Sequence, residues 1–132
     1  MAVVAALSGL TGVLITAKYH ERAEHKKWLR DLRVQIYGSL SSAAEDFSRA
    51  LAEVPAPTQQ ELVSRVVHIV GLQNQVTTFG AQDVAIAGVK LLHAFQQIAL
   101  ANPPSSDQMK AARNSFSEYL IQVRRTLEIG PD

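Results

Sequence analysis

Two histidines and two glutamates fall within six positions, His20-Glu-Arg-Ala-Glu-His25, and such a cluster could bind a metal or move protons. A zinc-protease helix places its histidines at i and i+4, so that both face one ion. His20 and His25 are five apart, about 140° around a helix, and do not converge. His20/Glu24 and Glu21/His25 do have i, i+4 spacing, but solvated helical pairs of this kind contribute only about 0.2–0.5 kcal/mol each. A second grouping is His68, His93 and Glu45 or Asp46, which symmetric helical hairpins would bring to similar heights. At about 100° per residue, His93 points roughly opposite the Val84/Leu91/Phe95 stripe, and His68 about 120° from the Leu62/Val66/Ile69 stripe. Both are expected on surfaces or flanks, so no shared metal or catalytic layer is expected.

Other chemistries lack their motifs. The seven glycines form neither a G-x-G-x-x-G nor a Walker-type phosphate cradle. Gly38-Ser-Leu-Ser-Ser lies inside a predicted helix, whereas a nucleophile elbow needs a strand-to-helix turn. The paired Glu-x-x-His signature of a di-iron bundle does not occur, and the absence of cysteine removes disulfides, thiol chemistry and thiolate metal sites. The sequence predicts no catalytic residue, no cofactor and no metal: a non-enzymatic protein.

The elements that remain must therefore carry the function. A chain of 132 residues with 47% hydrophobic residues makes one domain with an adequate core. The net charge of +1 hides a segregation: residues 18–33 hold six Lys/Arg against three Asp/Glu, whereas residues 34–132 hold seven against nine. Basic character belongs to one short segment and is not spread over a face, so no nucleic-acid partner is expected.

Ahead of that segment, Ala2–Ala17 carries no charge. As a helix it spans roughly 24 Å, a little short of the hydrocarbon core of about 30 Å. Seven residues of Val, Leu or Ile contribute about −2 to −4 kcal/mol toward insertion, partly offset by Gly, Ser and Thr. Three readings compete. A cleaved leader would want basic residues before the apolar run, and none is present. A buried core helix would want a polar stripe, which is also missing. The third, an uncleaved transmembrane helix over residues 1–17, is favoured. Lys18, Tyr19, Arg22, Lys26, Lys27 and Trp28 then form a membrane-interface belt within a basic stalk, residues 18–28, against anionic head groups. The positive-inside rule places the N-terminus outside and the bulk of the chain in the cytoplasm. Ala5/Gly9 and Ser8/Gly12 are small pairs at i, i+4 that would permit close packing of two spans, so a homo-oligomer is one expected partner state.

Residues 29–132 have helical periodicity throughout. Leu29, Leu32, Ile36, Leu40, Ala43, Phe47 and Leu51 form one stripe, ended by Pro55-Ala-Pro57. Thr58-Gln-Gln-Glu61 is a capping box for a second helix with Leu62, Val66, Ile69, Gln73 and Val76 inward, Val63 and Val70 widening the stripe, and Gly80 at C′. A third helix, about 81–101, carries Val84, Gly88, Leu91, Phe95 and Ile98. After Pro103-Pro104, Ser105 and Gln108 cap a fourth, with Met109, Ala112, Phe116, Tyr119 or Leu120, Val123 and Leu127 inward. Short connections make neighbours antiparallel. The expected fold is all-α: an N-terminal apolar transmembrane helix running into an antiparallel up-down four-helix bundle.

This layout, with its KKWLRDLRVQIYGSL stalk, a hairpin around TTFGAQDV and the final ARNSFSEYLIQVRRTLEIG, resembles small membrane-anchored helical-bundle proteins of actinobacteria and their phages over nearly the whole chain. That group has no agreed activity, so the resemblance implies an address and a fold but no reaction, and no site residues carry over. The function expected is a membrane-tethered module for binding an unidentified protein partner or itself at the cytoplasmic face. Two alternatives are a bundle that senses a small ligand or lipid, with room for it beside Gly88, and a phage-type membrane effector of lysis or exclusion.

Overall fold

A computed structural model describes residues 22–101 and 103–129. Within them lie four helices and no strand: α1 (Arg22–Ala50), α2 (Gln59–Phe79), α3 (Gln82–Leu100) and α4 (Ser106–Ile129). Each helix packs on the next in sequence, and α1 also touches α4, so the four enclose a single core. Ala2–Ala17, with Ala5, Ser8, Gly9 and Gly12, lies outside the described residues, as do Lys18, Tyr19, His20 and Glu21. Among the described residues no helix is long and apolar enough to cross a membrane.

The helix starts follow the expected capping chemistry. Thr58 Oγ1 accepts the Glu61 amide at 3.1 Å while Glu61 Oε2 accepts the Thr58 amide at 3.4 Å. Ser105 and Gln108 repeat the arrangement: Ser105 Oγ accepts the Gln108 amide at 3.1 Å, and Gln108 Oε1 accepts the Ser105 amide at 2.8 Å. Each cap satisfies amides that have no intrahelical acceptor and contributes about 1 kcal/mol. The end of α1 comes earlier than the prolines require. Its last turn tightens through the Ala52 and Glu53 amides, which donate to the Arg49 and Ala50 carbonyls.

The inward faces of α2 and α3 match the predicted stripes, including Gln73 and Gly88, but Val63 stays 40% exposed. In α1 the stripe rotates. Tyr37, Ala44 and Ala50 are buried with Ile36, Leu40 and Phe47, while Ala43 and Leu51 are half-buried. A helix of 3.6 residues per turn drifts off a strict three-four alternation over 29 residues. Leu29 is half-buried for a different reason: Arg33 Nε donates to the Phe79 carbonyl at 2.9 Å, which puts Leu29 a turn beyond the end of α2. In α4 the fully buried aromatic is Tyr119, and Leu120 turns outward. At the centre, the rings of Phe47 and Phe95 stack with centroids 4.3 Å apart, an offset geometry that adds about 0.5–1.5 kcal/mol to their burial.

Two glycines have close neighbours, and neither needs a left-handed backbone. Gly80 is extended, at φ −84° and ψ 169°, so it is not the left-handed C′ residue that its position after α2 suggests. A side chain there is opposed first by the backbone of α2 and then by Tyr37: an added Cβ would stand 2.5 Å from the Val76 carbonyl oxygen and 3.0 Å from Tyr37 Cε1. At Gly88 an added Cβ would collide with the Gln73 carboxamide. The space beside Gly88 is therefore filled by a side chain of α2 and offers no room for a ligand. Gly38 and Gly71 face open space.

These differences make a paired test. Gly71→Ala should raise stability by up to about 1 kcal/mol through helix propensity. Gly88→Ala should lower it by about 1–3 kcal/mol, because the buried amide has nowhere to go. Denaturant midpoints followed by circular dichroism measure both; equal stability of the two variants would contradict the close Gln73–Gly88 contact.

Candidate functional site

Among the described residues, His68, His93, Glu45 and Asp46 are not brought to one place. His68 and Asp46 line one open groove between α1 and α2, about 780 Å³, together with Gly38, Ser42, Ser64 and Arg65. No hydrogen bond joins Asp46, His68 and a serine there. His93 lies elsewhere, on the outer surface of α3, bordering its grooves with α2 and with α4. Glu45 and Asp46 are exposed and pair with Arg49 at 3.2 and 3.5 Å. Among the described residues no three His, Cys, Asp or Glu side chains stand close enough to hold a metal ion.

Of the belt residues, Arg22, Lys26, Lys27 and Trp28 fall on the first turns of α1. Lys26, Lys27 and Arg30 are exposed, and Trp28 is half-buried with its ring stacked on His25 at 6.0 Å. Arg22 opens the helix. α1 continues without a break from these turns into the bundle, so a force applied at its start is transmitted directly to the core.

Periodicity alone does not reveal the polar contacts that join the helices around this end. Tyr37 OH accepts the Ala81 amide at 2.8 Å, tying α1 to the α2–α3 turn. Tyr119 OH donates to the Tyr37 carbonyl at 3.2 Å, and Ser41 Oγ donates to the same oxygen at 2.9 Å. Gln73 is the one polar side chain buried among the described residues; its Nε2 donates to the Ala85 carbonyl at 3.0 Å and to Thr77 Oγ1 at 3.2 Å. A tyrosine at stripe spacing signals a core position, but its hydroxyl partner lies 44 or 82 residues away and leaves no local mark.

Burial pushes the Tyr119 phenol well above its usual pKa of about 10; the Ser41 hydroxyl opposes the shift and Tyr37 adds to it. The folded state thus holds the phenolic proton more tightly than the unfolded chain. Its stabilising contribution is complete below about pH 10 and is lost as pH rises from there toward the folded value. Stability should accordingly fall more steeply above about pH 10 in the native chain than in Tyr119→Phe. At neutral pH that variant should lose about 1 kcal/mol with the hydrogen bond. Denaturant melts at several pH values test both, and parallel pH profiles would show that Tyr119 does not titrate differentially.

The chain matches no protein family, no curated protein and no solved structure, so its function has to be argued from this geometry.

Proposed function

We propose that the chain is a non-enzymatic, membrane-tethered interaction module: an antiparallel up-down four-helix bundle held at the cytoplasmic membrane face by a transmembrane helix over residues 1–17. The observation that carries this reading is the overrun of α1. Arg33 bonds to the last residue of α2, and Leu32 is the first residue of α1 packed on the core, so the turns before it, residues 22–31, amount to up to about 15 Å of helix at or beyond the level of the α2–α3 turn. A helix extended beyond its own core, basic and carrying Trp28, suits attachment to a surface that lies past that end.

Charge distribution supports the same orientation. The two-residue α2–α3 turn and the 101–105 connection reverse the chain, so the last turns of α4 run beside the start of α3. Arg124 and Arg125, both exposed, then join Lys26, Lys27 and Arg30 at one end of the bundle. Glu24, Asp31, Asp83 and Glu128 only partly neutralise them. The far end is slightly acidic, with Glu45, Asp46, Glu53, Glu61 and Asp107 against Arg49, Arg65 and Lys110. Each basic residue near an anionic leaflet contributes up to about 1 kcal/mol, so this polarity favours the end from which Ala2–Ala17 departs. Lys18, Tyr19 and Arg22 extend the belt toward the span.

Fractionation of the full-length chain and a chain lacking residues 1–17 tests the tether. The full-length protein should stay with membranes in carbonate and in high salt, and the shortened one should be released. Salt release of the full-length chain would reduce the attachment to surface charge and overturn the span.

A further inference from the structure

The surface is unevenly charged in a way that the tether does not explain. α1 carries ten charged side chains and α4 seven, but α2 and α3 together carry only Glu61, Arg65, Asp83 and Lys90. Arg65 borders the groove toward α1, and Lys90 the groove toward α4. The outer face shared by α2 and α3 is left almost without charge. It is also where exposed apolar side chains gather: of nine large hydrophobic residues that stand exposed among the described residues, five (Val63, Val67, Ile86, Val89 and Leu100) lie on these two helices. Val67 is 64% exposed and Leu100 69%.

Their spacing is that of a helix-pairing seam. Ile86, Val89, His93, Gln96 and Leu100 recur at intervals of three and four along α3, on the side away from the buried Leu91 and Phe95. Val63, Val67, Val70, Asn74 and Thr77 do the same along α2. This is the a/d alternation by which one helix seats its side chains between those of another. Val63 and Val67 on α2 and Ile86 and Leu100 on α3 stand exposed, while Val70 is partly packed on the core and Val89 also borders the α3–α4 groove; the groove between the two seams is lined by Val63, Val67, His93, Gln96 and Leu100 with no charged residue.

We propose that a second copy of this chain docks on the α2–α3 face, with the two-fold axis parallel to the bundle. Such an axis sets α2 of one copy against α3 of the other. Because Val63 and Val67 share a groove with Gln96 and Leu100, residues at equal heights meet across the axis: Val63 with Leu100 of the second copy, Val67 with Gln96, Val70 with His93. A face without charge is compatible with itself, since self-contact creates no like-charge pairs, and the flanking Arg65 and Lys90 remain at a wetted rim. The face is about 28 Å long and two helix diameters wide, a footprint of roughly 600 Å² before corrugation is counted. That approaches the roughly 800 Å² per partner of a standard interface. The axis also keeps both N-termini at one end, so two copies can be tethered to the same surface. The proposal builds on the reading of the bundle as an interaction module and is independent of the membrane span.

Sedimentation equilibrium of the full-length chain in a non-ionic detergent, across a hundredfold range of concentration, tests it. The native chain should be a reversible dimer. Val67→Glu and Leu100→Glu, both at exposed positions, should weaken dimerisation at least tenfold while leaving the melting temperature unchanged; Ser39→Glu, in the α1–α2 groove, should leave the dimer intact. A native chain that is monomeric throughout, or a dimer indifferent to both seam variants, overturns the proposal. Carbonate extraction of the same variants reports the tether separately: a monomeric variant still held by membranes leaves the anchor standing, and a dimer that no longer pellets overturns the anchor alone.

Discussion

The Tyr37 side chain is the fixed point from which the other helices take their positions. It is 1% exposed, and its hydroxyl accepts the Ala81 amide, the last of the α2–α3 turn. That amide, on Ala81, lies just ahead of α3 and would otherwise be one of the orphan donors of a helix start. Its ring fills the space that Gly80 leaves open, and its carbonyl receives the Tyr119 hydroxyl from α4. One residue of α1 thereby sets the height of the α2–α3 turn and the register of α4. Neighbouring Arg33 reinforces the setting at the Phe79 carbonyl, where a cation also complements the negative end of α2.

Gln73 plays the corresponding part between α2 and α3. An amide buried among aliphatic side chains is unfavourable unless its groups find partners, and its Nε2 finds two, on Ala85 and Thr77. Oε1, the other half, has no hydrogen-bond partner and lies against Gly88. An apolar residue of similar volume would avoid the desolvation cost but would lose the directional contact to Ala85. Sliding α3 by a turn along α2 would strand the Gln73 amide and bring Val84 or Leu92, in place of Gly88, against it. Either side chain would occupy the space that the carboxamide fills. The polar residue in the core thus discriminates between registers that hydrophobic burial alone would leave close in energy.

How much of this is foreseeable depends on the range over which each contact acts. Helix identity, the two capping boxes and the stripes of α2 and α3 are set by neighbours within four residues, and spacing reveals them. The burial of Tyr37 in preference to Leu29 depends on where α2 ends relative to α1, a tertiary fact. Gly80 illustrates the same limit. Its place after a helix suggests a left-handed cap, yet its backbone is extended, and a side chain there would meet the Val76 carbonyl oxygen four residues back and then a tyrosine 43 positions earlier. The candidate site divides along the same line. Local spacing excludes a shared His20/His25 metal site, whereas the separation of His68 from His93 onto different grooves requires the packed helices. The apolar, charge-poor outer face of α2 and α3 is present in the sequence as Val63, Val67 and Ile86. Spacing alone puts Val63 in the core, because it does not say which of two adjacent apolar stripes is covered.

Internal packing leaves the end of α1 and the outer face of α2–α3 as the surfaces that folding does not account for. A basic end costs a fold stability through self-repulsion, and exposed valines on a charge-poor face invite association. Neither is required by the core, which closes on the opposite sides of the same helices. The two surfaces are also perpendicular: one caps the bundle axis and the other runs along it. A bundle held by its end can therefore present its side without conflict, and confinement to a surface raises the effective concentration of that side for a neighbour held in the same orientation. For a bundle tethered in that way, a modest contact face of two short helices would suffice, because the orientational part of the entropy of association would already be lost.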